Sequence, residues 1–348
     1  MPKRPTMSEI AHRAGVSTGA VSYALNGLPG VSEDTRHRIL VIAEEIGWQP
    51  NASTRTQAAR QARAVALILA RPGRALSIGG FFLQFIEGVE RALSESGTAL
   101  LLQVVPDHDT AIEATRNWWS ERRIDGVIVT DVHDHDERLP VIEELGIPAV
   151  IVGRSQPNSS APSVWSDDAA ASAEVVDYLA ALGHQRIARV SGHPELDHSR
   201  VRNKAFQDAM HRHGFQPEPI HSVEHGREDA ATITRRLLTS LQRPTAIVYD
   251  SDVMAVAALG VARELNITVP DELSLIAGED SELCLLTHPS ISALSRDVAA
   301  YGARAAQTLL AVINGTSRAS THDGRAHLVP RGSTGPRPVQ SEIIPPPT

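Results

Sequence analysis

Met7 to Leu25 carries the residue spacing of a helix-turn-helix, and the chemistry of that unit is hydrogen bonding to base edges in a DNA major groove. Ile10, Ala11, Gly15, Val16, Val21 and Ala24 fall where two short helices must touch. Ala11 has to be small because the second helix crosses close by. Gly15 supplies a left-handed turn residue, and Ile10, Val21 and Ala24 close a small core. The second helix then offers Thr18, Gly19, Ser22 and Tyr23 on its outer face. Ser17 and Ser22 have a second reading, as a helix cap or a phosphate ligand. An unrelated helical hairpin is the alternative for the whole stretch.

Other groupings suggest chemistry less well. His133-Asp134-His135-Asp136 has metal-ligating side chains, but they alternate in a loop without a further ligand framework and are expected to be solvated. Asp167-Asp168 and Glu279-Asp280 pair carboxylates without the nucleophile or metal spacing that catalysis needs. Neither GxGxxG nor GxxxxGK[ST] occurs. Cys284, the single cysteine, sits in an apolar run and reads as a small core residue. Trp118-Trp119 is expected to pack a core with one ring partly exposed. No catalytic residue, metal or cofactor is therefore expected.

The elements that position the helix-turn-helix are short. Thr6-Met7-Ser8-Glu9 reads as a capping box opening the first helix, Ser17 opens the second, and Asn26-Gly27 and Pro29-Gly30 form a loop. Ser32 then caps a third helix bearing Ile39, Ile42, Ala43 and Ile46, which Gly47 ends. From Ala64 the texture changes to apolar runs at 64–70, 99–105, 126–130, 148–152, 186–192, 245–250 and 273–278. Helical stretches lie between them at 82–96, 110–122, 137–145, 168–182, 200–213, 228–240 and 253–265, and one more follows at 297–313. Such alternation predicts an α/β fold of parallel sheets with helices on both faces. Some 280 residues exceed one doubly wound unit, so two lobes with a cleft are expected.

Charge divides along the same line. The 348 residues carry a net charge of −8, yet residues 1–63 hold eight Lys or Arg against five acids, leaving 25 against 36 in the remainder. A basic head on an acidic body concentrates attraction for phosphate in the head. No eighteen-residue apolar window exists, so no membrane partner is expected. MPKRPTMSEI lacks the apolar core of a secretion signal, and one cysteine suits a reducing compartment, so the expected location is cytoplasmic.

The stretch IAHRAGVSTGAVSYALNGLPGVSEDTRHRILVIAEEIGWQPN resembles the DNA-binding head of the lactose-repressor (LacI/GalR) family. The resemblance continues through GGFFLQFIEGVE, ERRIDGVIV, GIPAVIVGR, LGHQRIARVSG, YDSDVMAVAAL, VPDELSLIAGEDSE, HPSISALSRD and RGST. It implies an all-α helix-turn-helix head on a two-lobed, periplasmic-binding-protein-like core of two doubly wound parallel sheets. The head and hinge would span 1–60, with the hinge at about 50–60, and the core 61–348. Within the core, lobe 1 would comprise about 64–162 plus 294–325, and lobe 2 about 163–293 plus 326–341. The implied protein is a transcription repressor, a homodimer or tetramer that binds a pseudo-palindromic operator in double-stranded DNA under control of a small, sugar-like effector. A nucleoside co-repressor is the alternative effector, and a sugar-binding transport component the rival class.

By that resemblance Thr18, Gly19 and Tyr23 stand where family members read operator bases. Gly19 has no side chain to read with, so discrimination is expected from Thr18, Tyr23 and nearby Ser22. Asn51, Arg55 and Gln57 fall in the family's hinge helix, which folds on the operator and enters the minor groove. Gln57 stands where a leucine wedges between base pairs, which implies a smaller bend or a different central step; a one-turn shift would leave it merely exposed. For the effector, the resemblance implies Phe81, Phe82, Asp167, Arg202 and Asp252. Arg202 lies three residues before Ala205, where the family usually has glycine. Each of the five falls at or just beyond the C-terminal end of a strand, where open α/β sheets bind ligands. Helix capping is the alternative for Asp167 and Asp252.

Overall fold

The computed structural model describes residues 5–25, 27–46, 48, 62–70, 80–216, 219–223 and 227–338. The chain forms two compact units, residues 1–62 and 63–348. In the first, α1 (Met7–Ala14), α2 (Thr18–Leu25) and α3 (Glu33–Glu45) enclose Ile10, Ala11, Ala14, Val21, Ala24, Ile39 and Ala43. Thr6 caps α1 by accepting the Glu9 N–H at 3.3 Å. Only half of the expected capping box forms, because the Glu9 carboxylate turns to Arg13, 3.0 Å away on the next turn. Ser32 precedes α3 but makes no side-chain cap; its hydroxyl donates to Thr35 Oγ1 at 2.9 Å.

The larger unit contains two six-stranded sheets. The first has the order β11-β5-β4-β3-β1-β2 and is parallel throughout. Its strands are β1 (Ala64–Ala70), β2 (Ala99–Val105), β3 (Gly126–Val129), β4 (Ala149–Val152), β5 (Ser163–Trp165) and β11 (Thr321–His322). The second runs β12-β10-β9-β8-β6-β7, with β12 alone antiparallel to its neighbour. It contains β6 (Ile187–Ser191), β7 (His221–Ser222), β8 (Ala246–Tyr249), β9 (Ser274–Ala277), β10 (Ser292–Ser295) and β12 (His327–Val329).

Strand alternation explains the layers. In β1, Val65, Leu67 and Leu69 meet α4 (Gly80–Glu95) and α12 (Val298–Ile313), while Ala66 and Ile68 face α5 (His108–Ser120) and α6 (Arg138–Glu144). In the second sheet Ala188, Ile247, Tyr249, Leu275 and Ala277 face α9 (Arg227–Leu238), α10 (Asp252–Glu264) and α11 (Glu282–Leu286). Ile187, Ala246, Val248 and Ile276 face α7 (Asp168–Ala181) and α8 (Asp197–Arg212). Helices α4 and α12 pack backbone to backbone: a Cβ on Gly88 would lie 1.8 Å from the Ala299 carbonyl oxygen, and one on Gly302 2.2 Å from that of Phe85.

The chain crosses between the lobes three times, after β5, after β10 and after β11. The expected lobe boundaries shift accordingly. β5 pairs with β4 through Ile151 and Ser163, so 163–165 belong to the first lobe, and all of β10 belongs to the second. Each crossover falls immediately beyond a strand's C-terminal end, a point that apolar runs alone do not mark. The RGST segment is built into the second lobe: Arg331 forks onto Asp280 at 2.8 Å, and Ser333 Oγ donates to the Leu275 carbonyl at 2.6 Å.

Candidate functional site

In the head, Gly15 adopts φ 68°, and the Val16 N–H returns to the Ala11 carbonyl at 3.0 Å, making the tight turn between α1 and α2. Ser17 Oγ accepts the Ala20 N–H at 3.2 Å, so the capping reading holds for it. Burial of Val21 and Ala24 turns the opposite face outward: Thr18 and Gly19 are exposed, Ser22 is half-buried, and Tyr23 is 49 % exposed. The Tyr23 ring lies against Gly30, where a Cβ would meet it at 3.4 Å. One clamp was not anticipated. The Arg36 guanidinium on α3 donates to the carbonyls of Ala24 (3.0 Å) and Leu28 (2.8 Å), fixing the chain that leaves α2. Asn51, Arg55 and Gln57 lie outside the described residues.

The second site lies where the crossovers meet the strand ends. Asp167 caps α7, accepting the Ala170 N–H at 3.0 Å, which is the alternative weighed for it. Its neighbour Asp168 lines the cavity instead. One Asp168 oxygen stands 3.4 Å from Arg202 and 3.9 Å from Arg296, and despite burial these two guanidiniums hold its carboxyl below the usual range. Arg296, on the second crossover, also lies 5.4 Å from the Phe81 ring centroid and 5.3 Å from that of Tyr301. Phe81 is thus tied to the site. Phe82 is not: it is buried among Phe85, Val89 and Leu93 as part of the first lobe's core.

Asp252 is 2 % exposed and accepts from Val253 N–H at 2.7 Å and from the Ser281 hydroxyl. The cap of α10 is Ser251, so Asp252 is free of that duty. Burial pushes the nearby Glu279 carboxyl up to about 7; Asp252 and Asp250 add to the rise while Arg202 and Arg296 oppose it. Beneath Arg202 lies a buried pair. Arg189 bonds Asp250 and donates to Asn203 at 2.7 Å, while Asp250 also accepts from Ser191 (3.1 Å) and Gly192 N–H (2.6 Å).

Burial works against the charge on Asp250, but Arg189, Arg202 and the Gly192 N–H outweigh it and hold the carboxyl at about 2. A carboxyl depressed from about 3.9 stabilises the fold above pH ~4, on the order of 2 kcal/mol, and loses that contribution as pH falls towards 2. Arg189→Met would leave Asp250 buried without its partner. The core is expected to lose about 3–5 kcal/mol, read as a lower denaturant midpoint at pH 7, whereas Asn203→Ala should cost far less.

Sequence reading missed Arg189, Asp250, Asp168, Glu279, Arg296 and Ser166. A charged residue within the apolar run RIARVSG and another closing TAIVYD were the available signals for Arg189 and Asp250. Ser166, 6 % exposed, carries a hydroxyl without a hydrogen-bond partner among the described residues, in a cavity of about 40 Å³ between the lobes. The 133–136 loop is also corrected: Asp136 is buried on Arg138 at 2.6 Å rather than solvated.

Two family models match: bacterial regulatory proteins of the lacI family over residues 6–51, and a periplasmic binding protein-like domain over 176–334. The HTH-type transcriptional regulator reg1 of Streptomyces lividans is 30 % identical over 350 residues, covering 95 % of this chain and 97 % of its own. A crystal structure of a LacI family transcriptional regulator from Bifidobacterium animalis subsp. lactis shares 32 % identity at a TM-score of 0.73, covering 80 % of this chain and 99 % of that one. A complex of the transcriptional regulator CelR with cellobiose shares 26 % identity at 0.72, covering 95 % and 100 %.

A helix-turn-helix head on a periplasmic-binding-protein-like core defines a DNA-binding regulator rather than a transport component. The chain belongs to the LacI family of bacterial transcription regulators.

Proposed function

We propose that this regulator is a repressor that binds a pseudo-palindromic operator as a homodimer and responds to a sugar held between its lobes. The observation that carries the effector reading is the convergence of Arg202 on α8 and Phe81 on α4 with Asp168 and Arg296 beside the crossovers. Guanidinium and carboxylate groups beside an aromatic ring suit a ligand with hydroxylated edges and apolar faces. The cellobiose complex of a 26 % identical relative points the same way. The space beside Asp168, Arg202 and Arg296 is about 10 Å³ and the neighbouring one beside Ser166 and Asp168 about 40 Å³, room for a few waters, so a sugar enters only when the lobes part.

Dimerisation is supported by apolar surface. Edge strand β2 exposes Leu102 and Val104, α4 exposes Leu83, and α11 exposes Leu283, Leu285 and Leu286. A second copy covering these residues would remove an otherwise unprotected sheet edge. In the head, Thr18, Ser22 and Tyr23 would read the major groove, with Asn51, Arg55 and Gln57 entering the minor groove. Such a protein works in the cytoplasm.

The test is a thermal-shift screen of neutral and acidic sugars and nucleosides, each hit then added to an operator-binding assay. A sugar that raises the melting temperature and shifts DNA affinity supports the reading. Hits confined to nucleosides would replace the effector class.

A further inference from the structure

The loop after β3 meets the loop before α8 at the seam between the lobes. His133 forms an isolated antiparallel bridge with Leu196, and the Asp197 N–H donates to the Val132 carbonyl at 2.9 Å. Arg200 pairs with Asp134 across the same seam and with Asp197 at 3.1 Å. Behind this contact the His133 ring turns towards α5, where its Nε2 lies 2.9 Å from Nε2 of His108. On its other side, Nδ1 is 3.7 Å from Glu195 Oε2, and the His193 ring is 6.3 Å away.

Two imidazoles joined through facing Nε2 atoms need one N–H and one bare nitrogen. A first added proton preserves the bond but places charge in a half-buried site. A second sets two N–H groups against each other. We propose that the His108–His133 pair makes the seam between the lobes pH-sensitive, holding it shut when the rings are neutral and releasing it when the pair is fully protonated. This concerns the core's own opening and does not depend on which ligand the cleft takes.

The surrounding charges leave the pair with little to neutralise it. Asp136 is committed to Arg138, which itself lies close to both rings and also donates to the carbonyls of Thr130 and Asp131. Asp134 and Asp197 are engaged by Arg200, Asp107 caps α5, and Glu195 is exposed. Asp131 lies on the same loop as His133, and Asp109 is on α5. Burial, reinforced by Arg138 and His133 and opposed by Asp136 and Asp131, holds His108 below the ordinary histidine range. Burial also lowers His133, with Arg138 and His193 adding and Asp136 and Glu195 opposing. The closed seam therefore binds fewer protons than an open one, whose histidines titrate near 6.5. Acidification below about 6.5 shifts the balance towards opening, by up to about tenfold per pH unit for each proton taken up.

The Asp197 amide reports the seam directly. Its hydrogen exchange in the full chain, corrected for the intrinsic pH dependence, is compared at pH 7.5 and 5.5 with that of His108→Gln/His133→Gln, whose amides keep hydrogen-bonding capacity but do not titrate. Protection should fall about tenfold or more in the unmodified protein and stay level in the variant. Absence of a fall, or a parallel fall in both, overturns the proposal. Should the variant fail to fold, histidine NMR titration of the unmodified protein decides: both rings must titrate below 6.5, and either ring titrating at or above it is contradictory.

Discussion

Ile39→Ala is expected to unfold the DNA-binding head while leaving the core intact. Ile39 is fully buried on α3 against Ile10 and Val21, in a unit whose described core contains only seven buried apolar residues. Removing a buried isoleucine to alanine costs about 2–5 kcal/mol. A domain below about 70 residues rarely has more than ~3–5 kcal/mol in total. The head should therefore lose its melting transition, and sequence-selective DNA binding should be lost with it. The core, a separate compact unit, should melt as before. A variant that still binds its duplex with unchanged affinity would show that the α3 packing is not what holds the reading helix in place.

Arg202→Met should uncouple effector from operator. Among the described residues the Arg202 guanidinium hydrogen-bonds Asp168, at 3.4 Å, and its planar fork has further donors for a ligand. Asp168 would keep Arg296 at 3.9 Å and Asp250 would keep Arg189, so the substitution would remove the proposed ligand contacts without stranding either carboxylate. Effector coupling in such regulators typically changes DNA affinity 5–150-fold. In Arg202→Met that ratio should collapse to about one, with effector-free operator affinity altered by less than about threefold. Arg202→Lys should restore part of the response. Loss of operator binding together with the response would instead make Arg202 a support of the fold.

The difference between these two sites matches how far each was legible in the sequence. The core of the head was legible, because a core this small leaves little choice: Gly15 must turn, Ala11 must be small, and Val21 and Ala24 must face inward, which decides that Thr18 and Tyr23 face out; the Ser32 cap and the Arg36 clamp depend on side-chain geometry that this pattern does not fix. The sheet layers were legible for the same reason, since β1 alternates two apolar faces. Short strands such as β7 and β11, two residues each, carry too few side chains to show a period.

The cleft resisted reading because its geometry comes from crossovers distant in sequence. Asp167 and Asp168 are chemically equivalent neighbours, and only the turn into α7 decides that the first caps and the second faces Arg202. Arg296 looks like a residue between strand and helix until the second crossover places it over Phe81 and Tyr301. The histidines of the 133–136 loop likewise acquire meaning only from α5 and the loop before α8, which approach from elsewhere in the chain.

The most direct measurement of a DNA reader wired to a ligand sensor is selection of binding sites from a random duplex pool by the purified full-length chain, repeated with each small molecule that stabilises it. The account predicts enrichment of a two-fold-symmetric site whose affinity falls with salt and changes at least fivefold with a stabilising ligand. Retention of random duplexes as strongly as any symmetric one, with and without those ligands, would contradict it.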